Sequence, residues 1–259
     1  MKKNKLKILV CCILSIIIMI PYISVFAEKK DLNNYEFLLK QGYSEEYLDQ
    51  LTEDSMNRMV DLIGDGYVSN IKTEKSTWNK QARGTINDSS LSLQIVTGTI
   101  CKKNTNQITG ILIGATWDWA KSKPVYRGKD AVTINWDSNY FTYMPKSFYA
   151  YDGYKTNAND EWIFHKEYTS PAKTNQGGIG HWTDLKGLKK YVGGGMLFLL
   201  NPKSYMIEGN KHSTTVNMNY THTYMPLTGL SFSVGGVGVG VNWNTGCDDL
   251  SCSSSFTFS

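Results

Sequence analysis

Beyond Gly64 no stretch of the chain keeps a helical period for long. Short β-branched and aromatic runs follow one another instead, separated by Gly, Asn, Asp and Pro. Alternating βαβ units would need helical runs between the strands, so this grammar points to antiparallel pairing. Strand candidates fall at 67–73, 91–100, 109–119, 130–136, 140–150, 161–168, 191–200, 203–208, 212–224, 228–243 and 254–258. Strands at that spacing predict a mainly β fold over residues 65–259, an antiparallel β-sandwich or a barrel-like body. Residues 169–190, rich in Gly, Lys, Thr and Asn, read as the longest loop, with a helical turn at 185–190.

The segment before Gly64 obeys a different rule. Asp31 is placed to cap a helix carrying Tyr35, Leu38 and Leu39, with Gly42 as its left-handed end. Ser44 starts a second helix, with Glu45 and Glu46 at the positive end of its dipole. Thr52 starts a third, on which Met56, Met59, Val60 and Ile63 form one apolar stripe. Residues 28–64 therefore predict a unit of three short helices. Helices this short are marginal alone, so the unit is expected to pack on the β body rather than await a partner.

Met1 to Ala27 carries the marks of an export signal: Lys2, Lys3, Lys5 and Lys7, an apolar run from Ile8 to Ile20, Pro21, and small residues Val25 and Ala27. Cleavage is expected after Ala27, giving a secreted, extracellular protein. The run is too short for a spanning helix, which needs about 20 residues. The formal charge of +4 belongs to this segment, because removing its four lysines leaves 23 basic residues against 23 acidic ones. A neutral mature chain argues against nucleic acid as a partner.

Export removes Cys11 and Cys12 and leaves Cys101, Cys247 and Cys252. A small loop closed by a Cys247–Cys252 disulfide is the simplest arrangement for an oxidising compartment, with Cys101 buried as an apolar residue. Pairing of Cys101 with either of the others stays open. The spacing fits no structural zinc site, and neither a metal nor a cofactor is expected.

Two segments are candidates for function. Fourteen of the 30 aromatic residues beyond Ala27 lie between Trp117 and Tyr168. Period-two alternation puts Trp117 with Trp119, and Tyr149 with Tyr151, on common strand faces. With Trp136 these five are the candidate ligand-binding residues, a platform for sugar rings or peptide side chains; the same alternation also fits a sandwich core. The second segment is GLSFSVGGVGVGVNW, Gly229 to Trp243. Phe232 and Val234 alternate in one phase and Val237, Val239, Val241 and Trp243 in the other, the shift expected of a β-bulge. Gly238 and Gly240 leave a bare face opposite the valines, open to another strand, a ring or a membrane. With the alternating Ser/Thr-rich run from His212 to Tyr224, the composition matches an amphipathic hairpin that inserts to form a pore.

Catalytic signals are sparse. His181 with Asp184 is the only pair near enough in sequence for local acid–base geometry, and no nucleophile accompanies it. In a strand, Glu161 and His165 stand too far apart for a catalytic hydrogen bond. No hydrolase, phosphate-loop or calcium-loop motif occurs, so no catalytic residue is assigned. Asp248 and Asp249 lack a third ligand for calcium.

The stretches LLKQGYSEEYLDQLTEDSM (Leu38 to Met56) and TWDWAKSKPVYRGKDAVTINW (Thr116 to Trp136), with the Ser/Gly-rich final strands, resemble a group of small secreted β-rich proteins of Gram-positive bacteria. The resemblance implies secretion and a β-rich body, and it carries over no catalytic residue. The expected function is non-enzymatic binding of a cell-wall polymer, peptide or protein at or outside the cell surface. Two alternatives stand beside it: a membrane-active toxin or bacteriocin-like protein using residues 212–243, and a hydrolase with its site near the 169–190 loop.

Overall fold

A computed structural model describes residues 33–77, 91–119, 128–157, 160, 162–185, 191–203, 212–223, 231–235, 238–242 and 247–258. The export signal, Asp31 and the helical turn expected at 185–190 fall wholly or mostly outside them. Three helices open the described chain: α1 (33–41), α2 (Glu45–Leu48) and α3 (Glu53–Ile63). Their boundaries follow the sequence signals. Gly42 takes φ 104° after α1. The Ser44 hydroxyl accepts the Tyr47 amide at 3.3 Å and the Thr52 hydroxyl accepts the Ser55 amide at 2.8 Å, each satisfying a donor the helix start leaves open.

The strands are β1 (Tyr67–Thr77), β2 (Ser92–Cys101), β3 (Ile108–Trp119), β4 (Lys129–Asn135), β5 (Phe141–Tyr143), β6 (Tyr149–Lys155) and β7 (Ile163–Tyr168). They continue with β8 (Lys173–Thr174), β9 (Gly178–Asp184), β10 (Tyr191–Pro202), β11 (His212–Thr223), β12 (Ser231–Gly235), β13 (Gly238–Asn242) and β14 (Cys247–Phe258). One sheet runs β1-β2-β3-β10-β6-β7 with β5 added to β10, and a second runs β14-β11-β4-β9-β8. Among the described residues β12 and β13 pair only with each other. Every pairing is antiparallel and neither sheet closes on itself, so the mainly β fold is a sandwich-like body.

Alternation along each strand decides which core a residue joins. Leu93, Ile95, Ile111, Ile113, Phe198 and Leu200 of the first sheet meet Val132, Ile134, Ile179, Val216 and Met218 of the second. The intervening positions Val96, Ile100, Leu112, Leu197 and Leu199 point the other way, and Leu38, Tyr47, Leu48, Met59 and Ile63 of the helices cover them. The helical unit thus packs on the body. Gly114 makes the close approach possible, because a Cβ there would collide with the Tyr47 hydroxyl.

Several segments depart from the sequence expectations, among them the strand expected at 254–258, which begins at Cys247. The expected strand 140–150 is two strands, β5 and β6. The expected strand 228–243 is two strands as well, since Gly235 pairs with Gly238 and the change of phase is a reversal of the chain rather than a bulge. Most consequential, residues 178–184 of the expected loop form β9, an inner strand of the second sheet paired with β4 on one side and β8 on the other.

Candidate functional site: a folded-back hairpin and its polar base

The five aromatic residues expected to form a platform are all buried. Trp117, Trp119 and Trp136 lie in the core between the sheets. Tyr149 and Tyr151 point to the opposite face of the first sheet, under the helices, where the Tyr151 hydroxyl donates to the Gln50 carbonyl at 2.5 Å. The two faces of the first sheet put Trp117 and Trp119 in one core and Tyr149 and Tyr151 in the other, Trp136 joins the former from the end of β4, and these five line no groove together.

The Cys247–Cys252 disulfide is not formed: both thiols are free, as is Cys101. Both residues sit on the single strand β14, five positions apart. That spacing puts them on opposite faces and about 17 Å from each other, far beyond the reach of a disulfide. Burial pushes the Cys247 thiol up to about 11, with Asp249, Asp130 and Asp248 adding to it.

His181 and Asp184 are likewise separated by strand geometry. Three positions apart on β9, they face opposite sides. His181 points inward among Trp117, Phe148 and Tyr168, and burial, aided by the Lys166 charge, holds its imidazole down at about 3, so it is neutral at ordinary pH.

Two buried carboxylates organise the sandwich interior here. Asp152 accepts the Thr183 hydroxyl at 2.5 Å, the Tyr168 hydroxyl at 2.8 Å and the Asp184 amide at 3.1 Å, while burial still raises its carboxyl to about 6. Asp130 accepts the Tyr220 hydroxyl at 2.7 Å and the Thr223 amide at 3.1 Å, and pairs with His222 Nδ1 at 2.9 Å. Trp119 Nε1 extends the chain by donating to the Tyr220 oxygen at 3.1 Å. An Asp–His pair is a catalytic arrangement when a nucleophile and substrate can reach it. Both members of this one are fully enclosed, so its chemistry is structural: it ties the last residues of β11 to β4. Among the described residues no group of acidic, His or Cys side chains is arranged to hold a metal.

The exposed side of the second sheet is where the unusual geometry lies. β11 and β14 pair over their whole length, from His212 opposite Phe258 to Thr223 opposite Cys247. The chain between them returns as the β12–β13 hairpin, with Phe232 opposite Val241 and Val234 opposite Val239. Period two therefore places Phe232, Val239 and Val241 on one side of the hairpin, and Gly238 and Gly240 on the other. The apolar side rests on β9. Phe232 packs tilted against Trp182 over Gly180, where a Cβ would lie 2.8 Å from the ring, and Val239 sits over Gly178.

No strand pairing joins this hairpin to the five-stranded sheet among the described residues. Side chains hold it instead. Asn135, the last residue of β4, accepts the Val239 amide at 2.7 Å and donates to the Val239 carbonyl at 3.2 Å, occupying both groups as a neighbouring strand would. Asn175 donates to the Gly238 carbonyl at 2.8 Å. At about 1 kcal/mol net per hydrogen bond, this clasp is small against the stability of a whole domain.

A sequence signal for this site exists beside the alternation. From Ser213 to Cys247 the chain has no Asp, Glu, Lys or Arg, and after Asp248 and Asp249 it has none to its end. Among the described residues no helix is long and apolar enough to cross a membrane. Comparison with known proteins adds nothing to this geometry, since no family model and no curated protein matches the chain.

Proposed function

We propose that the protein is a secreted, membrane-active β protein whose β12–β13 hairpin leaves its seat on β9 and inserts into a lipid bilayer. The observation that carries this reading is the hairpin itself, with Phe232, Val239 and Val241 on one side and glycines on the other, which among the described residues is held to the sheet by side-chain contacts rather than by strand pairing. Docked, its apolar side is matched to bare glycines. Released, the same side needs a new apolar environment.

The dimensions agree. Counting back from Gly235 to Leu227 and forward from Gly238 to Gly246 gives arms of nine residues without a charge, and a spanning strand needs about 9–11. Continuing the hairpin register would set Leu230 opposite Trp243, adding an aromatic residue at the depth where bilayer interfaces favour one. A single hairpin has open edges, which hydrocarbon does not tolerate, so insertion implies a closed barrel built from several copies. One feature behind each of the other two expectations lies elsewhere than expected: the aromatic block is buried, and His181 and Asp184 face apart.

Dye-filled phospholipid vesicles test the proposal at micromolar protein. Gly180→Cys combined with Phe232→Cys puts two sulfurs in the space the Phe232 ring occupies and staples the hairpin to its seat when oxidised. Wild-type protein releases dye, the oxidised variant does not, and reductant restores release. No leakage from the wild type, or equal leakage from the stapled form, sinks the reading.

A further inference from the structure

At Asn135 lies an open cleft of about 420 Å³, lined by Asn135, Trp136, Asp137, Ser213, Thr214, Thr215 and Asn217. Its size is within the usual range for small-molecule sites, about 300–1,000 Å³. Its chemistry narrows the occupant. The lining contains neither Lys nor Arg, so nothing there favours an anion, and every lining side chain but Trp136 is polar, so nothing favours a lipid tail. Side-chain amides and hydroxyls and a single carboxylate are the groups that exchange hydrogen bonds with vicinal hydroxyls, whereas the Trp136 indole N–H is already given to the Gln176 carbonyl at 3.1 Å. Ser213 and Asn217 present theirs to solvent, and Asn217 Oδ1 already accepts the Ser253 hydroxyl at 2.7 Å, which fixes the direction of its amide.

Asn135 belongs to both the cleft and the hairpin clasp. Its oxygen takes the Val239 amide and its nitrogen gives to the Val239 carbonyl. A ligand that engages the carboxamide through both atoms takes it from Val239, leaving two backbone groups of the docked hairpin without partners. In the released hairpin the same groups are solvated, so the loss falls on the docked state alone. Gly178 and Gly238 crowd this amide closely enough that a Cβ on either would strike it. The carboxamide therefore has one docked position, and displacing it is not absorbed by a small adjustment.

We propose that this cleft binds the hydroxyl groups of a neutral sugar and that Asn135 couples its occupancy to release of the β12–β13 hairpin. Sugar binding stands on the cleft alone; the purpose of the coupling rests on the insertion reading above.

Amide hydrogen exchange on the full chain tests both parts, with glucose, galactose and N-acetylglucosamine as probes, each at about 50 mM to allow for the weak affinity of single sugars. At least one sugar is expected to slow exchange in residues 213–217 and to speed it about tenfold at Val239 and Gly240, the effect of losing roughly one net hydrogen bond. Asn217→Ala is expected to abolish the response while leaving the hairpin docked. Asn135→Ala is expected to show fast hairpin exchange without sugar and no further rise with it, and Gly178→Ala, whose methyl would strike both that amide and the Val239 nitrogen, should behave alike. No change with any of the three sugars, or a response that survives Asn217→Ala, overturns the proposal. Slower exchange at 213–217 with an unchanged hairpin overturns the coupling. An intact exchange response in a protein that leaks no vesicles leaves the site standing and removes only the insertion reading.

Discussion

Phe232 packs against Trp182 with ring centroids 4.1 Å apart and the rings tilted by 36°, directly over Gly180. The contact exists because β9 has no side chain at that point. Gly180→Ala places a methyl group where the ring now lies, and overpacking of this kind costs about 1–3 kcal/mol. The ring belongs to a hairpin held by few bonds, so the cost is met by undocking rather than by distortion of the sheet. Hydrogen exchange in residues 231–242 should quicken while the thermal midpoint of the body changes little. A fall in that midpoint with unchanged hairpin exchange contradicts the seat described here.

Trp117→Ala removes a ring buried in the core between the sheets, beside Tyr220 and His181. Deleting a buried Trp side chain typically costs about 3–5 kcal/mol, a large share of a domain's stability. Urea denaturation should show that loss. A variant as stable as the wild type would mean the indole is on the surface after all and would revive the aromatic platform.

Acid should act on Asp152 and His181 in opposite directions. The Asp152 carboxyl stands near 6 in the fold against an ordinary 3.8, so the folded state takes up this proton first and stability rises as pH falls through that window. His181 stands near 3 against an ordinary 6.5, so the unfolded chain takes up that proton first and stability falls as pH drops below about 6.5. Between pH 6 and 4 the two slopes oppose each other, each about 1.4 kcal/mol per pH unit at most. Asp152→Asn should make the protein lose stability with acid more steeply than the wild type, and His181→Gln should make it gain. Denaturation midpoints across that range check the pair, and parallel profiles for all three proteins would refute the assignment.

Cys101, Cys247 and Cys252 should all titrate as thiols in denaturant, and reductant should leave the thermal midpoint unchanged, because β14 holds the last two apart. Under native conditions labelling should be slow, since two of the three are buried and the Cys247 thiol is pushed to about 11. A midpoint that drops on reduction would show a bridge.

How far the sequence revealed this fold depended on whether its signals were local. Ser44 and Thr52 mark helix starts through bonds made within three residues, and both were legible. β9 was not, because Gly178 and Gly180 look like loop residues until Phe232 and Val239, more than fifty positions later, are seen to need the space. The same distance effect misled the cysteines. A short spacing suggests a loop, and only the pairing of β14 along all of β11 shows that the chain between them is straight. For the aromatic block, alternation correctly grouped Trp117 with Trp119 and Tyr149 with Tyr151, but it could not say that a helical unit covers one face of the sheet and a second sheet the other. The hairpin was visible as composition, and its reversal at Gly235 and Gly238 required the register.

The connections at the base of the hairpin differ in length: residues 224–230 leave β11, and only 243–246 lead into β14. Were the two ladders to fuse into one, three residues on the outgoing side would find no opposite number, close to Pro226. Straightening alone therefore cannot produce an unbroken ribbon. The elongated form must carry a permanent kink on one strand, always the same one, and copies assembled side by side would repeat that kink at a constant height around any ring they made.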